Sequence, residues 1–518
     1  MHCKIYPIVD EDVTDVSFPK AKMAKSIPAF NPTTLDGLPA ELLLEILSYI
    51  SSRRSALNDS TFQPDPATWE YPTNPNATLW NLCLTNRYLN YVSEPVLYQE
   101  FHHTLLEYPT LAYFLRAIIR RPHLASHVKR ISLDYANLFK TFEFSWHLPP
   151  PPSIYPPVQL VDSDDIRLFI RTARESLLVS KVDEMRIRGL EDPALVLLLF
   201  SQASNLRELH YNVTGNGLKQ DSTHLIDTAI WDMLVSDGRL LGLFPFSSLR
   251  KVTLSSFNTV EKWNHAYRRF PLNSTAAWLF LPSVETLDLS GCKMKRFCPY
   301  DIFTSSSDEP CLHERLPPGL SVASLTSITF RDSAVHMDAL YRMLSHCKSL
   351  KSFDFQWDCL DAGYGDYDYG TVGRALRTQK HSLETLRFDA TKAIDDHGPA
   401  ILEECMVDSF GSLKFFEKLS YVDIPGLVTI KWKIPLGLDE ILPPNIQTLK
   451  IQSIGYNDLY QIEELARVAP ESFPSLLLVE IGVWELKLVD YLITNCVEFF
   501  AERGVTLVVK SESQDMKS

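Results

Sequence analysis

Leu350-Lys351-Ser352-Phe353-Asp354-Phe355 and Leu383-Glu384-Thr385-Leu386-Arg387-Phe388 are two copies of one pattern. An aliphatic residue is followed by two variable residues, an apolar residue, one variable residue and another apolar residue. The last two apolar positions alternate with polar ones, as a strand with one buried face requires. The leading aliphatic enters the same core from the preceding turn. The pattern recurs at 128–133, 182–187, 206–211, 249–254, 284–289, 325–330, 419–424, 446–451 and 476–481. Serine or asparagine precedes the leading aliphatic in several copies, as at Asn205, Ser248, Ser283, Ser349 and Ser382.

This is the L-x-x-L-x-L core of leucine-rich repeats. Helical patterns lie between the copies: Ile166, Phe169, Ile170, Ala173 and Leu177; Ala339, Leu340, Met343 and Leu344; Leu459, Ile462, Leu465 and Ala466; Val489, Leu492, Ile493, Cys496 and Phe500. Gly504 stands where a helix C-terminus wants glycine, and 505–509 reads as a closing strand. Strands alternating with helices imply an α/β solenoid of parallel strands, each unit burying its apolar edge on its neighbours. The spacing is irregular, 25 residues from Leu325 to Leu350 but 54 from Val128 to Val182. Long insertions therefore interrupt the array, at the prolines of 149–152 and 156–157 and near 214–240, 258–278, 295–320 and 361–374.

Upstream, Leu38-Pro39-Ala40-Glu41-Leu42-Leu43-Leu44-Glu45-Ile46-Leu47-Ser48-Tyr49-Ile50 reads as one amphipathic helix. Pro39 suits its first position, and Glu41 suits the positive end of the helix dipole. Leu42, Leu43, Ile46, Leu47 and Ile50 fall on one face, with Leu44 off it. Trp80, Cys83, Leu84, Arg87, Tyr88 and Tyr91 form a second helical stripe. Together these stretches resemble an F-box. Leu-Pro, an acid two positions on and Leu-Leu-x-x-Ile-Leu open it. The 79–89 stretch and Pro95-Val96-Leu97-Tyr98 close it, as in fungal members. The chain departs from the family at 51–77, an apparent insertion rich in Ser, Asn, Pro and Thr. The resemblance implies a three-helix module docking on the Skp adaptor of a Skp–cullin–F-box ubiquitin ligase. Its docking set would be Leu38, Pro39, Leu42, Leu43, Leu44, Ile46, Leu47 and Trp80.

The expected organisation is a flexible arm over 1–34, an F-box over 35–100, and a linker helix over 101–126 carrying Leu111, Phe114, Leu115 and Ile118. An irregular leucine-rich-repeat solenoid follows over 127–510, then a tail over 511–518. A chain of 518 residues needs more than one domain or a repeat array. Its net charge of −14 argues against a general nucleic-acid binder. No apolar run reaches the roughly eighteen residues of a membrane span. Nine scattered cysteines and no secretory leader are expected of an intracellular chain with reduced thiols, cytoplasmic or nuclear.

No motif of catalysis stands out: there is no Gly-x-Ser-x-Gly elbow, phosphate-binding loop or dinucleotide fingerprint. Cys292, Cys298, Cys311 and His313 cluster without a Cys-x-x-Cys knuckle, so no metal site or cofactor is expected. His102-His103 reads as a polar helix end or loop. The acidic, aromatic tract 361–370 lacks EF-hand spacing. Polar residues alternating with the buried apolars on the strands would line the concave side of the array. Arg130, Arg186, His210, Asp288, Thr329, Asp354 and Arg387 are the candidates for gripping a target protein. The expectation is a non-enzymatic substrate receptor: the Skp adaptor, and through it cullin, on the F-box, a protein substrate on the repeats, and neither nucleic acid nor membrane. The alternative is an interaction scaffold acting outside the ligase.

Overall fold

The structure, a computed structural model, describes residues 35, 38–58, 75–104, 108–134, 161–176, 179, 181–213, 226, 229–230, 246–256, 270–271, 276–294, 324–335, 337–357, 369–389, 410–426, 437–454, 459–483 and 486–511. The expected arm over 1–34, most of the expected 51–77 insertion, the prolines of 149–157, most of the other expected loops, and Cys298, Cys311 and His313 lie outside them. The chain divides into two compact units, Met1–Leu97 and Tyr98–Ser518.

The first unit holds three helices: α1 (Ala40–Asn58), α2 (Pro75–Thr85) and α3 (Arg87–Leu97). Pro39 sits one residue before α1, and its carbonyl accepts from Leu43 N at 3.1 Å. Asn86 separates α2 from α3 and caps α3, its side-chain oxygen accepting from Leu89 N at 2.9 Å. Leu43, Leu47, Leu79, Leu89, Val92 and Val96 form the core, with Leu38, Ile50, Leu82 and Leu97 packed on it. α1 runs to Asn58, so the first eight residues of the expected insertion belong to a helix.

In the second unit, strand β1 (Glu100–Thr104) is followed by helices α4 (Tyr108–Arg120) and α5 (Pro122–Ala125), then β2 (Arg130–Asp134). Helices α6 (Ser163–Arg174), α7 (Lys181–Arg188) and α8 (Asp192–Gln202) lead to β3 (Glu208–Val213) and β4 (Lys251–Ser256). β5 (Phe270–Pro271), α9 (Ala276–Leu279), β6 (Thr286–Ser290), β7 (Cys292–Met294) and β8 (Ser327–Val335) follow. The chain then alternates: α10 (Met337–His346), β9 (Ser352–Trp357), α11 (Tyr369–Arg377), β10 (Thr385–Asp389), β11 (Tyr421–Pro425), α12 (Leu438–Ile441), β12 (Thr448–Ile454), α13 (Leu459–Ser472), β13 (Leu478–Val483), α14 (Leu486–Ala501) and β14 (Thr506–Ser511). The main path of the sheet runs β1-β2-β3-β4-β6-β8-β9-β10-β11-β12-β13-β14, all parallel. This is the expected α/β alternation of parallel strands and helices.

A repeated backbone contact sets the register. Gln99 O accepts from both Lys129 N (2.9 Å) and Arg130 N (3.0 Å). Lys129 O does the same for Arg207 N and Glu208 N, and Arg207 O for Arg250 N and Lys251 N. The pairing continues step by step to Gln447 O, which accepts from Leu477 N and Leu478 N. Side chains before the leading aliphatics add cross-links: Asn205 to Ser126 O (2.8 Å), Ser283 to Phe246 O (2.6 Å) and Asn445 to Glu417 O (2.9 Å). The leading aliphatics Val128, Leu206, Leu350 and Leu383 are all 0% exposed. Phe330, Phe355, Phe388 and Phe410 form a chain of ring contacts, at 5.5, 5.2 and 5.1 Å between successive centroids.

Two expectations are corrected. The 182–187 copy is helix α7, not a strand. A strand would bury Met185 beside Ile187, but Met185 is 68% exposed while Asp183 and Ile187, four apart, are buried. Asp183 and Glu184 in its first turn and Arg186 and Arg188 in its last also suit the helix dipole. The sheet also begins earlier than 127. β1 pairs with β2 inside the stretch expected to be a linker, although α4 matches the helix expected there. Tyr98, Phe101 and His103 occupy the three core positions of the repeat and are all buried.

Gly373 in α11 supplies a test. Alanine in a helix interior usually stabilises relative to glycine by about 1 kcal/mol. Here an added Cβ would stand 1.9 Å from Phe410 O and 2.7 Å from its carbonyl carbon. Gly373→Ala should therefore destabilise, by about 2 kcal/mol or more, measured by urea denaturation; a stabilised variant would contradict this packing.

Candidate interaction surfaces

The first unit exposes a surplus of apolar side chains. Leu43 and Leu47 turn inward, each 2% exposed. They hold the core and have almost no area to offer a partner, which corrects their expected place in a docking set. Leu42 (47%), Ile46 (42%) and Tyr49 (64%) are exposed on another stripe of α1, with Leu44 (48%) also exposed. The expected single face is thus split between interior and surface. Trp80 and Leu84 are exposed on α2, and Tyr88 and Tyr91 on α3. Leu38 is half-buried and Pro39 exposed; Tyr88 Oη donates to Leu38 O at 3.4 Å and fixes the approach to α1. Large apolar groups exposed in such number on so small a unit are candidates for contact with another molecule.

The second unit offers a polar sheet face. Parallel register aligns its side chains in rows; one row runs His102, Ser132, His210, Thr253, Asp288, Thr329, Asp354, Arg387, Asp423, Lys450, Glu480 and Val508. Charges along the face are paired between neighbouring strands. Arg130 bridges Glu100 (2.6 Å) and Glu208 (2.8 Å), and Lys251 meets Asp288 at 2.9 Å. Burial opposes the charge on Arg130, but its bond to Glu208 and the fields of both glutamates outweigh this and raise its pKa. Glu480 lies between Lys450 (3.2 Å) and Lys510 (2.6 Å). Burial alone would raise its pKa; the two lysines reverse the sign and lower it.

Arg387 is the centre of the most charged part. It lies 3.4 Å from Asp423, 3.8 Å from Asp389 and 3.9 Å from Asp354. Asp389 and Asp423 are 7% and 4% exposed. Carboxylates outnumber the guanidinium, and burial pushes the pKa of Asp354 and of Asp423 upward. Arg387 lowers both, and a hydrogen bond from Gln452 to Asp423 (2.5 Å) also favours the charged form there.

The structure brings Asp354 and Arg387 together and places Arg130, His210 and Asp288 on the same face, with His210 exposed. Thr329 shares the row but is 9% exposed. Arg186 does not belong to the face: it lies on α7, 3.9 Å from Glu191. Asp423, Tyr421, Lys450 and Glu480 complete the charged region and were missed, although each stands at a variable position of a recognised repeat. His102 and His103 are on a strand; His103 is 0% exposed, its Nε2 3.3 Å from Asp192. Among the described residues no three His, Cys, Asp or Glu side chains converge as a metal site, and no helix is long and apolar enough to cross a membrane.

No family model matches the chain, and no curated protein matches it. Among solved structures it is similar to a chain of the crystal structure of the Rad7 and Elc1 complex in yeast, at 12% identity and a TM-score of 0.31, covering 92% of this chain and 96% of that one.

Removing Arg387 tests the charge balance. For carboxyls whose folded pKa is raised, stability is fully present below the unfolded value of 3.8 and is lost as pH rises through the folded value. Arg387 offsets that loss. Because it is 46% exposed, Arg387→Gln should cost about 1–2 kcal/mol near pH 7, less than a fully buried pair. The deficit should shrink as pH falls toward 3.8. A pH-independent deficit in denaturation curves would contradict the arrangement.

Proposed function

We propose that this chain is a non-catalytic substrate receptor of a Skp–cullin–F-box ubiquitin ligase. The first unit acts as an F-box of fungal type and docks on a Skp adaptor, and through it on cullin. The polar sheet face, a leucine-rich-repeat array, takes the target protein. The observation that carries the reading is the division of α1: Leu43 and Leu47 close the unit's own core, while Leu42 and Ile46 remain exposed on the neighbouring stripe and Leu44 and Trp80 are exposed as well. An isolated helical unit has no use for that second apolar surface. The sheet face supports the other half of the reading, because fixed rows of paired charges favour selective recognition of a complementary protein surface. The mechanism is proximity: a target held near a charged ubiquitin-conjugating enzyme reacts at a high effective concentration. The chain itself makes and breaks no covalent bond, needs no cofactor, and works in the cytoplasm or nucleus.

Co-expression with a Skp adaptor, followed by size exclusion, tests this. The wild type should co-elute with the adaptor. Leu44→Asp combined with Ile46→Asp should weaken binding by about 2 kcal/mol or more, some thirtyfold, with an unchanged denaturation midpoint. Leu43→Ala should instead cost about 2–5 kcal/mol of stability. A folded wild type that does not bind the adaptor, or a double variant that binds equally well, would remove the assignment.

A further inference from the structure

The last described strand of the array differs from those before it. Val479 and Ile481 on β13 are each 0% exposed, yet their register partners Leu507 and Val509 on β14 are only half-buried. Among the described residues β14 is bonded along one edge, to β13. Helix α14 packs on β14 and buries Leu488, Leu492, Cys496 and Phe500. Beside that stripe run Val489, Ile493 and Val497 at four-residue spacing; Ile493 is 50% exposed and the two valines half-buried. Tyr491 marks the side of α14 that meets the preceding unit, since its hydroxyl donates to Glu463 on α13 at 2.5 Å. Ile493 lies about 200° round the helix from it, on the free flank. Among the described residues an apolar flank and an unpaired strand edge thus adjoin at the last described unit, a place where a repeat array usually presents a polar surface.

We infer that this end of the array is an interface between two copies of the chain, formed by antiparallel pairing of β14 with β14 of the second copy about a two-fold axis through Val508. Directly opposed residues of an antiparallel pair lie on the same face of the sheet. With Val508 opposite itself, Leu507 meets Val509 of the other copy twice over, so the core row of one sheet continues into that of the other. Thr506 then meets Lys510, each Lys510 already held by Glu480 of its own chain at 2.6 Å, and no like charges are opposed. A register centred between two residues would set core positions against polar-face positions and is excluded. Centring on Val509 would place Leu507 against Ser511 and lose an apolar pair, and centring on Leu507 would set Val509 against Val505, which precedes β14 and has its N–H bonded to Phe500 O at 3.0 Å. The same axis brings the two α14 helices together antiparallel with their Ile493 stripes between them. A second copy therefore matches the sheet edge and the helix flank at once, which an unrelated strand has no reason to do.

The full-length chain should show twice the monomer mass by light scattering as its concentration is raised, and Ile493→Asp should return it to monomer mass while matching the wild-type denaturation midpoint at a dilution where both are monomeric. The register is read by cysteine placement. Residues on the axis have Cα atoms about 4.5–5.5 Å apart, within disulfide reach. Under mild oxidation Val508→Cys should give a reducible covalent dimer. Thr506→Cys, about 13 Å from its own counterpart, should stay at the uncross-linked wild-type level. Monomer mass at every concentration up to the solubility limit would overturn the inference, as would equal cross-linking of the two variants or none in either.

Discussion

The second unit depends on one backbone contact made again at each step: a carbonyl at the entry of one strand accepts the N–H groups of two successive residues entering the next. The contact involves no side chain, so it tolerates sequence change. It does require the leading aliphatic to be anchored and the strands to run parallel in register. Long excursions between strands leave it intact, because the cost of closing a loop grows only slowly with its length. This explains how repeats with irregular spacing build one continuous sheet.

Register, in turn, fixes the spacing of the polar side chains on the sheet face. Once the apolar residues of successive strands are stacked, the residues between them stand in rows at the fixed spacing of neighbouring strands. Glu100, Arg130 and Glu208 are thereby linked across three strands, and Arg387 is surrounded by Asp354, Asp389 and Asp423. Mutual pairing limits how freely these side chains move, so the face presents a defined charge pattern. The helical unit works by the opposite chemistry, keeping one leucine pair for its own core and leaving other large apolar groups exposed.

Most of the sheet was legible because its strands obey one short pattern whose apolar positions are set by burial. The failures have physical causes. β1 fills the three core positions with Tyr98, Phe101 and His103, which no aliphatic template finds; His103 is tolerated inside because Asp192 faces it. The 182–187 stretch fits the template by composition, yet its charges suit the ends of a helix and Met185 lies outside. In α1, periodicity found an apolar face but could not divide it, since neighbouring leucines become core or surface according to what packs on them. Asp423 and Lys450 occupy the same row as Asp354 and Arg387 and could have been nominated by position alone. Their joint electrostatics depend on burial, which the sequence does not state.

The central claim is that the exposed apolar groups of the helical unit meet an adaptor while the sheet stays free for a target. Hydrogen exchange of the full-length chain, with and without a Skp adaptor, tests it most directly. The account predicts slowed exchange in Ala40–Asn58, Pro75–Thr85 and Arg87–Leu97, with the parallel strands unchanged. Unchanged exchange in these helices at saturating adaptor, or protection confined to the strands, would contradict it.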